Sequence, residues 1–126
     1  MRYIGLVPDE LAPERLLPLQ PAIFHILVAL ADRDRHGHSI MQDVASRTGN
    51  RLRMSPGTLY GSIKRMLAQG LITELDKPPD PEDDDERRRY YQLTPFGRRV
   101  ARAEGARMEA LLREARATGL VPESSE

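Results

Sequence analysis

Cysteine and tryptophan are absent from this 126-residue chain, and it holds only two phenylalanines and four tyrosines. Without thiols, disulfide frameworks, thiol nucleophiles and thiolate zinc sites are excluded. With so few rings, aliphatic side chains must supply the core. No apolar run approaches the ~20 residues that cross a bilayer. Residues 1–21 carry five charges and four prolines, not the apolar stretch of an export signal. A single soluble, cytoplasmic domain is expected, burying roughly two thirds of its unfolded surface.

Net charge is also lacking, with 19 Lys and Arg against 19 Asp and Glu. The balance hides segregation. Residues 51–70 carry +4 with no acid, residues 71–86 carry −7, and residues 87–107 carry +6. A zero total excludes a generic polycation but leaves two local basic patches separated by an acidic run.

The first nineteen residues, with Pro8, Pro13 and Pro18, read as an extended N-terminal arm. A first helix opens at Gln20-Pro21, with Ala22, Ile23, Ile26, Leu27 and Leu30 at the 3–4 spacing of one buried face. It stops near the polar DRDRHGH stretch, where Gly37 supplies the positive φ of a tight turn. Ser39 caps a second helix, with Gln42 completing a capping box. Ile40, Met41, Val44 and Ala45 are its apolar positions, and Gly49 its stop. The third helix has Ser55 as N-cap, Pro56 as first residue and Met54 with Leu59 as a hydrophobic staple. Its core stripe is Leu59, Ile63, Met66 and Leu67, and Gly70-Leu71 closes it in a Schellman-type end.

Two short strands follow, residues 71–75 and 89–93. Tyr90 and Tyr91 face opposite ways, one packing inward. The intervening KPPDPEDDDERR, with three prolines and six acids, reads as a mobile hairpin tip. Thr94-Pro95 starts a last helix that runs to about Thr118, before Gly119. In it Ala101, Gly105, Met108, Leu112 and Ala115 repeat at heptad spacing, with Leu111 beside them. A narrow seam of this kind calls for a second copy, so these six are the expected dimer interface.

The fold class expected is mainly α with a small β-hairpin: a winged helix-turn-helix plus a C-terminal dimerisation helix. The division is 1–19 arm, 20–93 DNA-binding domain, 94–119 dimerisation helix and 120–126 tail. In this plan the third helix lies in the DNA major groove and the hairpin is the wing beside it. Opposite its core stripe the third helix shows Gly57, Thr58, Gly61, Lys64 and Arg65. Small residues admit the helix deep into a groove. Ser55 and Thr58 at its N-terminus suit a phosphate, and Lys64 and Arg65 reach phosphates or guanine edges. Arg53 precedes the helix, Tyr60 offers its hydroxyl, and Arg87, Arg88 and Arg89 stand at the base of the wing. Any ion pairs of these arginines with residues 83–86 are exposed and weak, so phosphate displaces them.

These residues resemble the PadR family of winged-helix transcriptional regulators. The resemblance rests on HGHSI (36–40), RMSPGTLYGSIKRMLAQGLI (53–72) and RRRYYQLTPFGRR (87–99) taken together, and spans roughly residues 18–118. It implies homodimers joined through the C-terminal helix, repression at palindromic operators in double-stranded DNA, and release by a small apolar or aromatic effector lodged between the first and last helices. It also makes His36 a structural hydrogen-bonding residue. The short chain with one C-terminal helix fits the smaller subgroup. Gly61 stands where relatives often carry proline. The acidic tip is longer than the pattern, and without tryptophan a Trp-lined drug pocket is excluded.

No enzyme signature is present: there is no Ser/His/Asp order, paired-carboxylate motif, phosphate loop or cofactor fingerprint. His36 and His38 lack a carboxylate or thiolate partner at ligand spacing, so they read as a turn with a solvated histidine. Neither metal nor cofactor is expected. The acidic tip keeps one alternative open, a winged-helix module for protein–protein contact without DNA binding.

Overall fold

The computed structural model describes residues 12–80 and 88–122. Four helices, α1 (Pro21–Asp32), α2 (Gly37–Arg47), α3 (Pro56–Ala68) and α4 (Pro95–Ala117), accompany an antiparallel sheet of β1 (Arg35–His36), β2 (Ile72–Glu74) and β3 (Tyr90–Leu93). The strand order is β1-β3-β2, with Ile72 opposite Leu93 and His36 opposite Tyr90. This is the winged-helix arrangement expected from the sequence. The residues 81–87 of the acidic tip, including Arg87, lie outside the described residues, as do residues 1–11 and 123–126.

The core is aliphatic, as the scarcity of rings requires. Ile26 and Leu27 of α1, Ile40 and Val44 of α2, and Leu59 and Met66 of α3 are sealed from solvent with Leu71, Phe96 and Val100. Local signals set the ends of α3. The Ser55 Oγ accepts from the Thr58 N–H at 3.1 Å, Pro56 opens the helix, and Met54 and Leu59 are both buried. At the other end Gly70 has φ +75°, and the Leu71 N–H donates to the Met66 carbonyl at 3.0 Å. That bond seats Leu71 in the core and starts β2.

Thr94 locks the next junction. Its Oγ1 accepts from the Gly97 N–H at 2.9 Å, capping α4, and donates to the Gly70 carbonyl at 2.6 Å. Gly97 lies so close to the Leu71 carbonyl that a Cβ there would overlap the oxygen and stand 2.9 Å from its carbon.

Five expectations change. Ser39 does not cap α2. His36 does, its Nδ1 accepting from the Ser39 N–H at 3.2 Å, because the extended backbone at His36 lets α2 begin at Gly37. Gln42 therefore completes no box. Gly37 does not turn the chain with positive φ; it is buried inside α2, where its missing side chain makes room for the Tyr60 ring. Leu67 is 37% exposed, and Ser62 takes its place in the buried stripe. The third strand, β1, is only two residues long, too short to show a period. Of the N-terminal segment, Pro13–Leu16 form a 3-10 turn packed on α4 rather than an extended chain.

Two polar clusters complete the scaffold. The Arg35 guanidinium, 11% exposed, donates to the Ala29 carbonyl, Ser39 Oγ, Asp32 and Asp43 at 2.8–3.1 Å. It ties the end of α1 to β1 and α2. Glu104 on α4 is 2% exposed. It accepts from the Leu19 N–H at 2.9 Å and pairs with Arg107, clasping the N-terminal segment to α4. The hydrogen bond from Arg107 outweighs burial and holds the Glu104 carboxyl below its ordinary range.

Candidate nucleic-acid interface

The buried side chains of α3 are Leu59, Ser62, Ile63 and Met66. At 3.6 residues per turn the opposite face is centred on Gly57, Gly61, Lys64 and Ala68, all exposed. Tyr60, half exposed, flanks it on one side, with Thr58 and Arg65 on the other. Compared with the face expected from the sequence, this one is rotated slightly toward Tyr60, because Ser62 rather than Leu67 is buried. A Cβ at Gly61 would meet nothing within 4 Å, and one at Gly57 only the Ser55 Oγ at 3.9 Å. The centre of the face is therefore low and open, so a groove edge meets little side-chain bulk there.

Arg53 and Ser55 are exposed at the entrance to α3. The Ser55 hydroxyl also donates to Thr58 Oγ1 at 3.1 Å. Lys64 is exposed near the middle of the face, whereas Arg65 reaches back to α1 and donates to Gln20 Oε1 at 2.8 Å. Arg88 and Arg89 are exposed at the start of the wing, and Arg89 pairs with Glu74 at 3.2 Å. Arg87 falls outside the described residues.

The structure brings α3 and the wing together across a cleft of about 280 Å³. His36, Gly37 and His38 form one wall, Tyr60 another, and Arg88, Arg89 and Tyr91 the third. No carboxylate lines it among the described residues. Tyr91 is the inward tyrosine, 4% exposed, and burial followed by the nearby Glu74 pushes its phenol up. The wall formed by His36, Gly37 and His38 was not legible as part of this surface; its place depends on β1 pairing with β3.

The expected seam on α4 divides along its length. Ala101 packs against the chain's own core, and nothing lies within 4 Å of a Cβ at Gly105. Met108 and Ala115 are half-buried, whereas Leu111 is 61% and Leu112 39% exposed. No helix among the described residues is long and apolar enough to cross a membrane.

A sequence profile of the Transcriptional regulator PadR-like family matches residues 26–103. Transcriptional regulator Rv3488 of Mycobacterium tuberculosis is 38% identical over 90 residues, 71% of this chain and 78% of that protein. Among solved structures, a transcriptional regulator from Clostridium thermocellum superposes with a TM-score of 0.64 at 22% identity, over 79% of this chain and 92% of that one. A PadR family transcription regulator from Clostridium difficile R20291 gives a TM-score of 0.62 at 20% identity, over 76% of this chain and 95% of the other. At these identities the two solved structures speak for the fold.

Proposed function

This chain belongs to the PadR-like family of transcriptional regulators, and on that premise we propose that it is a sequence-specific DNA-binding repressor, dimeric on a palindromic operator and released by a small apolar or aromatic effector. The family and the relative are transcriptional regulators and not enzymes. One observation carries the reading: the exposed face of α3 is small at its centre, cationic at Lys64, and continuous with the Arg88–Arg89 edge of the wing. Small residues and cations on one face match what the major groove and its phosphates require.

Two further features support the finer parts. Leu111 and Leu112 expose apolar surface on α4, which a second copy would bury about a two-fold axis. The dimer seam proposed is Ala101, Gly105, Met108, Leu111, Leu112 and Ala115, with the division into an N-terminal arm, a winged domain of residues 20–93 and a dimerisation helix of residues 94–119. A cleft of about 200 Å³ between α1, β3 and α4, lined by Phe24, Leu27, Val28, Ala31, Leu93 and Ala101 together with Arg98 and Arg102, offers apolar walls to an apolar or aromatic effector.

Fluorescence anisotropy on duplex DNA from upstream of the chain's own coding sequence, with a scrambled duplex and a salt series, tests the proposal. Salt-sensitive binding with preference for the upstream duplex is expected, by a particle of twice 14.2 kDa in sedimentation. Arg88→Ala should weaken binding equally on all sequences and flatten the salt slope by about one phosphate contact. Lys64→Ala should change sequence preference. Absence of binding even at low salt would overturn the proposal in favour of a protein-contact module.

Gly37 supplies a second check. An alanine there would overlap the Tyr60 hydroxyl and stand 2.8 Å from Tyr60 Cζ. The phenol is half exposed and swings aside, and as the first residue of α2 with no positive φ the position accepts alanine without backbone strain. Gly37→Ala should therefore melt close to the wild type yet bind DNA about tenfold more weakly, as Tyr60→Phe does if the hydroxyl meets a phosphate. Unchanged affinity in both variants would remove Tyr60 from the interface.

A further inference from the structure

His38 stands between two cavities at the front of the winged helix. On one side is the 280 Å³ cleft, with His36 from β1, Tyr60 from α3, and Arg88, Arg89 and Tyr91 from the wing strand. On the other is a broader hollow of about 530 Å³ between α2 and the entrance to α3, where Arg53 is the charged residue. The charged residues that line the two cavities are Arg53, Arg88 and Arg89, and Glu74 stands behind the cleft, paired with Arg89. The titratable neighbours are His36, Tyr60 and Tyr91.

The two imidazoles have different work. Their rings lie parallel at 2°, with centroids 6.5 Å apart. His36 spends its Nδ1 lone pair on the Ser39 N–H, so a proton at that nitrogen would end the cap of α2. His38 is exposed and carries no such duty in the helix cap. A cleft lined by two guanidiniums, a phenol hydroxyl and an imidazole offers hydrogen-bond donors that suit a tetrahedral oxyanion. Arg89 is engaged by Glu74 only in an exposed pair at 3.2 Å, which a phosphate displaces readily.

We propose that His38 is a ligand for a DNA-backbone phosphate seated between α3 and the wing, and that it takes up a proton when the phosphate arrives. This rests on the DNA-binding reading above. A phosphate seated against the imidazole favours its charged form, and an imidazole registers such a neighbour near neutral pH. The proton affinity of His38 is therefore higher in the complex than in the unbound protein. Binding is strongest below the unbound titration point and weakens as pH rises through the bound one.

The contact is to the backbone, so any duplex of about two helical turns at ~50 mM salt serves as probe. Wild-type affinity should fall about tenfold between pH ~6 and ~8. His38→Gln should hold the weaker, high-pH affinity throughout, and His38→Arg the stronger one at both ends. Both replacements are at an exposed position, and unchanged melting curves confirm their fold. If His38→Gln follows the wild-type pH curve, the phosphate seat is refuted while DNA binding stands. If the wild type binds no duplex at any pH, the DNA-binding reading fails and this proposal with it. If inorganic phosphate shifts the His38 ring signals in NMR spectra but duplex DNA does not, the cleft belongs to a small anion and the backbone seat is overturned.

Discussion

Replacing Gly97 with alanine is expected to lower the unfolding free energy by about 4 kcal/mol, near the upper end for single substitutions. For a chain of this size that is a melting temperature roughly 15 °C lower. The added methyl would overlap the Leu71 carbonyl oxygen and stand 2.9 Å from the Leu71 carbon and 3.0 Å from Leu93 Cδ1. Leu93 could shift a methyl group; the Leu71 carbonyl has no such freedom. It accepts from the Thr94 N–H at 3.1 Å, Thr94 Oγ1 stands 3.0 Å from it, and Leu71 itself closes α3. Relief would have to separate α4 from the junction of α3 and β2, opening the core around Phe96 and Val100. Gly61→Ala is the control. It adds the same methyl within a helix into open space, and should stabilise by about 0.5–1 kcal/mol. Thermal melts that place Gly97→Ala within a few degrees of wild type would refute the close approach.

Glu104→Ala is the second large effect, a loss of about 2–3 kcal/mol. The carboxylate is 2% exposed, and its removal strips the Leu19 N–H of its acceptor and leaves a void beneath the N-terminal segment. Glu104→Gln retains the shape and an acceptor for Leu19 but loses the pairing with Arg107, so it should cost roughly half as much. The pH dependence has a definite sign. The folded carboxyl is held below its ordinary value of 4.5. Its ionised form therefore contributes stability that is fully present above the unfolded titration point and disappears as pH falls through the folded one. Denaturant titrations of wild type and Glu104→Gln should differ by a constant amount from about pH 6 upward, and the difference should shrink progressively as pH falls below about 4. A difference that persists undiminished in acid would refute the contribution of the ionised carboxylate. Faster exchange of the Leu19 amide in Glu104→Ala would locate the loss at the N-terminal segment.

Both predictions arise from contacts the linear sequence does not show. Gly97 belongs to the RRRYYQLTPFGRR stretch, but nothing in that stretch reveals its approach to Leu71, and Glu104 reads as one more charge on a polar helix. The bond between Leu19 and Glu104 joins residues 85 apart in the chain. Arg35 resembles any other member of DRDRHGH, yet its guanidinium joins α1 to α2. The cap of α2 shows the same limit at short range. Ser39 with Gln42 satisfies the capping-box pattern, but the extended backbone at His36, paired with Tyr90 in β3, starts the helix earlier.

What the sequence determined by itself is what depends on residues within one helical turn of each other. Ser55-Pro56, Gly70-Leu71 and Thr94-Pro95 mark helix ends, because a cap is a bond between groups three to five residues apart. The exposed face of α3 was legible for the same reason, since 3.6-residue periodicity needs no partner to be counted. The tertiary structure decided the rest: the rotation that buries Ser62 in place of Leu67, the pairing of β1 with β3 that sets His36 and His38 beside the wing arginines, and the contact of Gly37 with Tyr60. Each brings together groups from separate elements. Their energies come from packing and desolvation across the core, which no window of neighbouring residues contains.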